Sequence, residues 1–312
     1  MTTLSEYKSL DEKADYFSKE LTVRAYQINT ENEFDNWYSQ VKKFNSTSHF
    51  FRGMSEAKYK LYTSAQRIWM ENLKKGGEKK YYRKFFQDLM LELQKDPVME
   101  RVFNYYKLGR PENTLALMSL LQHYDGVTPF LDWSYDIDVA LFFATNEIQN
   151  VTGHEINNYS SVYCIDNNIT KINLLKPGRY KDFDEMLDSP EIRIGKNKPE
   201  RKTSPSRLYY LAEVKKFGKK KGYNLSLFNQ NIILQRGLFI FNPSRTIPLE
   251  EYNFSGNGST KKKISCYNIH KNLSGYIRDK IAESKVTGSF IYPDVKNVIA
   301  LLKNKTVAIF FK

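Results

Sequence analysis

The sequence predicts an α+β fold, a single mixed domain with a helical N-terminal half and a strand-rich C-terminal half. Apolar residues recur at helical spacing through most of the first 125 residues, and β-branched and aromatic runs dominate from about residue 160 onward. No interval between the halves has the composition of a linker. A chain of 312 residues with 41% hydrophobic and 27% charged side chains has the size and makeup to bury a core.

Residues 1–44 read as a helical extension packed on the main domain. Within it, Glu31–Phe44 follows Thr30, a good N-cap, and sets Phe34, Trp37, Tyr38 and Val41 on one face. The main domain, residues 45–305, opens with HFFRGM at 49–54, an aromatic run broken by Gly53, and Tyr59, Leu61 and Thr63 alternate behind it as a continuing strand would. Helices are expected at 64–74 and 79–94, the second with Tyr82, Phe85, Phe86, Leu89 and Leu93 as a core-facing stripe. Asn113 caps the next helix, which runs through Leu115, Leu117, Met118, Leu120 and Leu121 to Gln122-His123, before an Asp125-Gly126 turn. After Pro129 the chain is extended, and Ser134, Asp136 and Asp138 supply oxygens to the start of a helix over 138–148. Strands follow at 160–166, 207–214, 237–243 and 262–269, helices at 272–284 and 294–304, and TVAIFFK at 306–312 forms a terminal strand. The polar interval 185–206 is the candidate mobile loop.

The first residues are polar, and no apolar run approaches the ~20 residues that span a bilayer, so the protein is expected in the cytoplasm with no membrane partner. Two cysteines, Cys164 and Cys266, and four histidines give no disulfide framework and no metal-ligand spacing. The net charge of +13 favours anionic partners. Much of the excess sits in the Lys-rich runs 74–80, 215–221 and 261–263, which lack the interleaved aromatics of a base-stacking platform. They read as solvated surface or, at most, as non-specific nucleic-acid contacts. Oligomeric state is not legible.

The chemistry concentrates in QHYDGVTPFLDWS at 122–134 and in FRG at 51–53. Arg52 offers a rigid guanidinium fork for phosphate or carboxylate, and equally suits an ion pair with Asp132. Arg67 carries the same two readings. His123 suits proton transfer near neutral pH, or simply complements a helix C-terminus. Gln122 and Thr128 can orient a ligand's amide or hydroxyl. Asp132 suits a general base or a ribose-binding carboxylate, and also an N-cap or an Arg52 partner. Trp133 is expected against Phe130, Phe142 and Phe143, or stacked on a base. Asn229 and Gln235 either tie down backbone or touch ligand, and Gly53 permits close approach by backbone or ligand. A metal-dependent nuclease would need Asp132, Asp136 and Asp138 clustered. Glycine-rich dinucleotide loops, P-loops, GxSxG and HExxH are absent.

FRG at 51–53, QHYDGVTPFLDWS with ALFFA at 140–144, NQNIILQRGLF at 229–239 and SFIYPDV at 289–295 together resemble, in order and spacing, the successive blocks of the FRG domain family, named for its Phe-Arg-Gly motif. That resemblance implies a bacterial or phage protein of the defence or toxin-like effector kind. Asp125 stands where the family usually has Gly, and Asn231 where many members have Arg. FRGM also resembles the aromatic-Arg-Gly strand with which some ADP-ribosyltransferases hold the phosphates of NAD. This implies a cleft for a nucleotide-like anion and NAD as a substrate. Such transferases add a late Glu, and Glu213 and Glu250 are the nearest later acids. The alternative is a non-catalytic module that senses nucleotide or binds nucleic acid or a partner. The expected cleft brings together Arg52, Gln122, His123 and Asp132, with Trp133 and Phe142 as its apolar wall.

Overall fold

The computed structural model describes residues 5–19, 26–44, 47–74, 82–105, 114–123, 126–146, 148, 153–170, 172–174, 208–212, 216–217, 220–221, 231–251 and 264–292. Among them the helices are α1 (Leu10–Lys19), α2 (Glu31–Val41), α3 (Ser64–Lys74), α4 (Tyr82–Lys95), α5 (Pro97–Tyr105), α6 (Thr114–His123), α7 (Ile137–Thr145), α8 (Asn167–Thr170), α9 (Asn231–Leu234), α10 (Ser274–Glu283) and α11 (Gly288–Ile291). The strands are β1 (Tyr26–Ile28), β2 (His49–Met54), β3 (Phe130–Ser134), β4 (Tyr159–Asp166), β5 (Asn173–Leu174), β6 (Tyr209–Ala212), β7 (Lys216–Phe217), β8 (Lys220–Lys221), β9 (Gly237–Phe241) and β10 (Ile264–His270). Eight of them form one mixed sheet in the order β1-β10-β4-β2-β3-β9-β6-β5, while β7 and β8 pair separately. The outermost neighbours, β1 with β10 and β5 with β6, run parallel, and the inner pairs are antiparallel. The fold is α+β, as the sequence predicts.

Alternation along the strands divides the core between the two faces of the sheet. On one face Phe50, Leu131, Trp133, Tyr163, Leu238 and Ile240 pack with Leu10 and Phe17 of α1. On the other, Phe51, Val162, Cys164 and Ile269 meet Phe34 and Val41 of α2, most of α7, and Ile277 and Ile281 of α10. Local chemistry starts these helices where expected. Thr30 Oγ1 accepts from Glu33 N while Glu33 Oε2 accepts from Thr30 N, a reciprocal cap on α2. Asp136 Oδ1 accepts from Asp138 N at 3.0 Å and opens α7.

Four departures from the sequence reading have physical causes. Tyr26–Ile28 lies in the segment expected to be helical, yet it is a strand held by β10; three residues are too few to display a period. Tyr59, Leu61 and Thr63 do not continue β2, because residues 55–63 are held by other elements instead of a ladder. There Tyr7 N donates to Lys58 O at 2.9 Å, Lys13 Nζ donates to Ala57 O at 2.7 Å, and Leu61 N donates to both Glu250 oxygens at 3.0 Å. The helix expected over 79–94 is described from Tyr82, and α5 follows at Pro97, a residue suited to a helix start. Finally, Trp133 joins the Phe50 and Tyr163 side of the sheet, opposite Phe142, because its strand alternates. The intervals 185–206, 294–304 and 306–312, with Asn113 and Asp125, lie outside the described residues.

Glu250 anchors the 55–63 segment from a fully buried position, and burial pushes its carboxyl up to about 7 from an ordinary value of 4.5. The folded state therefore holds the Glu250 proton more tightly than the unfolded chain does. Its contribution to stability is complete below pH 4.5 and is lost as pH rises to about 7. Between pH 5 and pH 8 the natural protein is expected to lose about 2 kcal/mol relative to Glu250→Gln, which keeps an acceptor for Leu61 N but carries no charge. Urea unfolding of both proteins at the two pH values checks this, and identical pH dependence would refute it.

Candidate ligand-binding cleft

The sheet is interrupted at its centre. β2 stays in register with β4 over six residues and β3 with β9 over five, but β2 and β3 pair only at Phe51 opposite Ser134. Past that pair the ladder stops, and Arg52 fills the opening. Its Nη1 donates to the carbonyl of Asp132 at 2.5 Å, a bond that replaces a missing ladder contact with a charge-assisted one. A cleft of about 400 Å³ opens here. Arg52 and Gly53 of β2 and Asp132 and Trp133 of β3 line it, together with Tyr59, Arg67 and Gln122. Val139, Ala140 and Phe143 of α7 also line it, with Asn231, Gln235 and Tyr292.

Gly53 is demanded by packing. A Cβ built there would lie 1.8 Å from the carbonyl oxygen of Ala140 and 2.7 Å from the amide nitrogen of Ala144. The close approach that a glycine permits is taken up by the backbone of α7, which lets that helix lie directly on β2 and form a wall of the cleft.

Among the described residues the charge lining the cleft is net positive. The Arg52 side chain is 19% exposed, and its Nη1 lies 4.0 Å from Asp132 Oδ2, the limit of an ion pair. The carboxylate has a nearer partner: Gln122 Nε2 donates to Asp132 Oδ2 at 2.7 Å. Among the described residues the buried Arg52 Nε has no hydrogen-bond partner, and neither has the buried Trp133 Nε1. Burial pulls the Arg52 guanidinium below its ordinary value; the Asp132 charge opposes this and the positive charge of Arg67 adds to it. Among the described residues two guanidinium groups therefore line the same cleft as one carboxylate, which Gln122 also holds. An anion accepting from Nε and the fork would relieve both the repulsion and the unpaired donor.

Gln122 is set by a relay. Thr128, fully buried, donates through Oγ1 to Gln122 Oε1, which turns the Gln122 amide nitrogen toward Asp132. Thr128 is in turn fixed by Ser64, whose Oγ accepts from Thr128 N at 2.9 Å and donates to Thr128 O at 3.2 Å. Thr128→Val is expected to cost about 1 kcal/mol of stability through the lost hydrogen bond, measured by denaturant unfolding. No measurable change would mean that the relay is not formed in solution.

The structure thus brings Arg52, Gly53, Arg67, Gln122, Asp132, Trp133 and Gln235 to one cleft, with Thr128 behind Gln122. His123 is the last residue of α6, but its side chain lies outside the described part of the structure, as does Asn229. Phe143 takes the wall position expected of Phe142, which is 8% exposed and packs with the α7 core. Asp136 caps α7 and pairs with Arg236 at 3.7 Å, and Asp138 accepts from Tyr38 Oη and Lys42 Nζ. Asp132, Asp136 and Asp138 therefore serve separate partners, and among the described residues no group of three acids, histidines or cysteines could hold a metal ion. Glu250 is sealed beneath the sheet and does not line the cleft, and Glu213 lies outside the described residues. Sequence reasoning missed Tyr59 and Tyr292 as cleft residues. The SFIYPDV block held a signal for Tyr292, but nothing marked Tyr59.

Fold and cleft together define an α+β protein built around an arginine-filled break between two central strands. The FRG domain model matches residues 47–152, so this stretch, from the residues before β2 to just beyond α7, is an FRG domain. It contains Arg52, Gly53, Arg67, Gln122, Thr128, Asp132 and Trp133. The 229–239 and 289–295 blocks fall outside the match. No curated protein and no solved structure matches the chain. Among the described residues no helix is long and apolar enough to cross a membrane.

Proposed function

We propose that the cleft binds a phosphorylated nucleotide and that the protein is an effector of the defence or toxin-like kind acting on NAD, in the manner of an ADP-ribosyltransferase. The observation that carries the nucleotide reading is Arg52, a largely buried guanidinium whose Nε has no partner among the described residues, beside a second arginine and near a carboxylate bonded to Gln122. A pyrophosphate supplies the missing acceptors. A cleft of about 400 Å³ suits part or all of a dinucleotide.

In this reading Asp132 is the acid available to the reaction. The bond from ribosyl C1 to the nicotinamide nitrogen breaks, and its electron pair leaves with neutral nicotinamide. Asp132 stabilises the positive charge that develops on the ribosyl ring. An acceptor hydroxyl, amine or water then bonds to C1 and loses a proton. Gln122 and Thr128 hold the carboxylate in place so that it need not reorganise as the charge develops. That Asp132 is the single carboxylate lining the cleft among the described residues favours a second reading, a non-catalytic nucleotide sensor, since the resemblance to such transferases calls for a late Glu.

Calorimetric titration of the full chain with pyrophosphate, ADP-ribose and NAD, followed by an assay of free nicotinamide, tests the proposal. Binding of all three that weakens with salt, with nicotinamide released and Asp132→Asn inactive, is the expected result. Binding without release assigns the sensor role. Failure of all three to bind refutes the nucleotide reading.

A further inference from the structure

The cleft lining combines two chemistries. Arg52 and Arg67 supply positive charge, with Tyr59 beside Arg67. Elsewhere in the lining the rings of Phe143 and Tyr292 meet edge to face with centroids 6.3 Å apart, and Gln235 lines the same cleft. Gln235 Nε2 donates to the carbonyl of Ile291 at 3.2 Å. A carbonyl can only accept, so the amide's orientation follows and Oε1 is left as a free-standing acceptor. Among the described residues nothing donates to that oxygen. The residue is also held by its backbone: Gln235 N donates to Asn231 O at 2.8 Å, and Gln235 O accepts from Ser134 Oγ at 2.6 Å. A fixed acceptor beside an aromatic pair is suited to a flat ring that carries an N–H donor.

We propose that the part of the lining formed by Gln235, Phe143 and Tyr292 is a ring-recognition subsite. It takes the exocyclic amino group of a nucleotide's heterocycle on Gln235 Oε1 and the ring face against Tyr292, while the phosphates lie at Arg52 and Arg67. The proposal rests on the nucleotide reading above and adds the direction of the ligand and the chemistry of its ring. Adenine and the carboxamide of nicotinamide share that chemistry, an NH₂ group on a planar ring, and the test separates them.

Pyrophosphate, ADP and inosine diphosphate are titrated into the full chain by calorimetry, alongside nicotinamide mononucleotide and its nicotinic acid counterpart. ADP or nicotinamide mononucleotide should bind at least about fivefold more tightly than pyrophosphate, the low end of what base stacking on an aromatic ring contributes. It should also exceed its oxo or acid analogue by about tenfold, because the analogue sets an acceptor against Gln235 Oε1. Preference within the first pair assigns the ring as adenine, and preference within the second assigns nicotinamide. Tyr292 is 49% exposed at the end of α11, so Tyr292→Ala should leave the fold and pyrophosphate affinity unchanged while removing the ring's advantage. Equal affinities within both pairs, no gain over pyrophosphate, or an advantage untouched by Tyr292→Ala would each overturn the proposal with pyrophosphate still bound. Failure of pyrophosphate itself to bind would overturn the nucleotide reading beneath it.

Discussion

Arg52→Lys is expected to fold like the natural protein and to bind pyrophosphate about tenfold to a hundredfold more weakly. A lysine ammonium can still reach the carbonyl of Asp132, which Arg52 Nη1 now holds at 2.5 Å, so the break between β2 and β3 keeps its bridge. What lysine lacks is the planar fork and its Nε donor, which is buried here without a partner among the described residues. Losing one charge-assisted, two-point contact costs about 1.5–3 kcal/mol, the source of the expected range. Calorimetry with pyrophosphate measures the affinity and thermal unfolding checks the fold. Unchanged affinity in a folded Arg52→Lys protein would show that the guanidinium is a structural bridge alone.

Gly53→Ala should have the largest effect on stability. The added methyl would sit 1.8 Å from Ala140 O and 2.7 Å from Ala144 N. Both are backbone atoms of α7, so no rotamer change relieves the overlap and the helix itself must move. A cost of about 3 kcal/mol or more is expected, at the upper end of overpacking. It should lower the thermal midpoint by roughly 5 °C or more and weaken ligand binding as well, because α7 carries Val139, Ala140 and Phe143 of the cleft wall. A Gly53→Ala protein with the midpoint of the natural one would show that α7 is not seated as described.

The contrast between these two neighbours shows what the sequence discloses. Arg52 stands out because a charged residue in an aromatic strand needs a partner, and the polar residues Gln122 and Asp132 stand out beside apolar helices for the same reason. The sequence could not say that Asp132 would offer Arg52 its carbonyl and give its carboxylate to Gln122, because that depends on where the β2 to β3 ladder stops. The Phe142 and Phe143 positions were confused because α7 is buried around most of its circumference, leaving no polar face to set its phase. Trp133 lines the cleft as expected but packs on the Phe50 and Tyr163 side and not on Phe142, because a strand sends successive side chains to opposite faces. Tyr59 escaped notice because residues 55–63 carry strand-like alternation, while their backbone is held by Tyr7, Lys13 and Glu250, residues distant in sequence. β1 escaped because a three-residue edge strand has no period of its own.

The single ladder pair joining β2 to β3 also bears on what counts as a unit of folding and inheritance. Both strands lie inside the 47–152 stretch, yet the strands that complete their hydrogen bonding, β4 and β9, are encoded beyond it. Excised alone, that stretch would present two nearly bare strand edges to solvent, an invitation to intermolecular pairing. On the ribosome β2 waits for β4, complete at residue 166, and β3 waits for β9, complete at residue 241, so β3 stays half-paired until about ninety residues beyond the matched stretch have been made. The recognisable stretch therefore draws the partners of both its strands from sequence that lies beyond it.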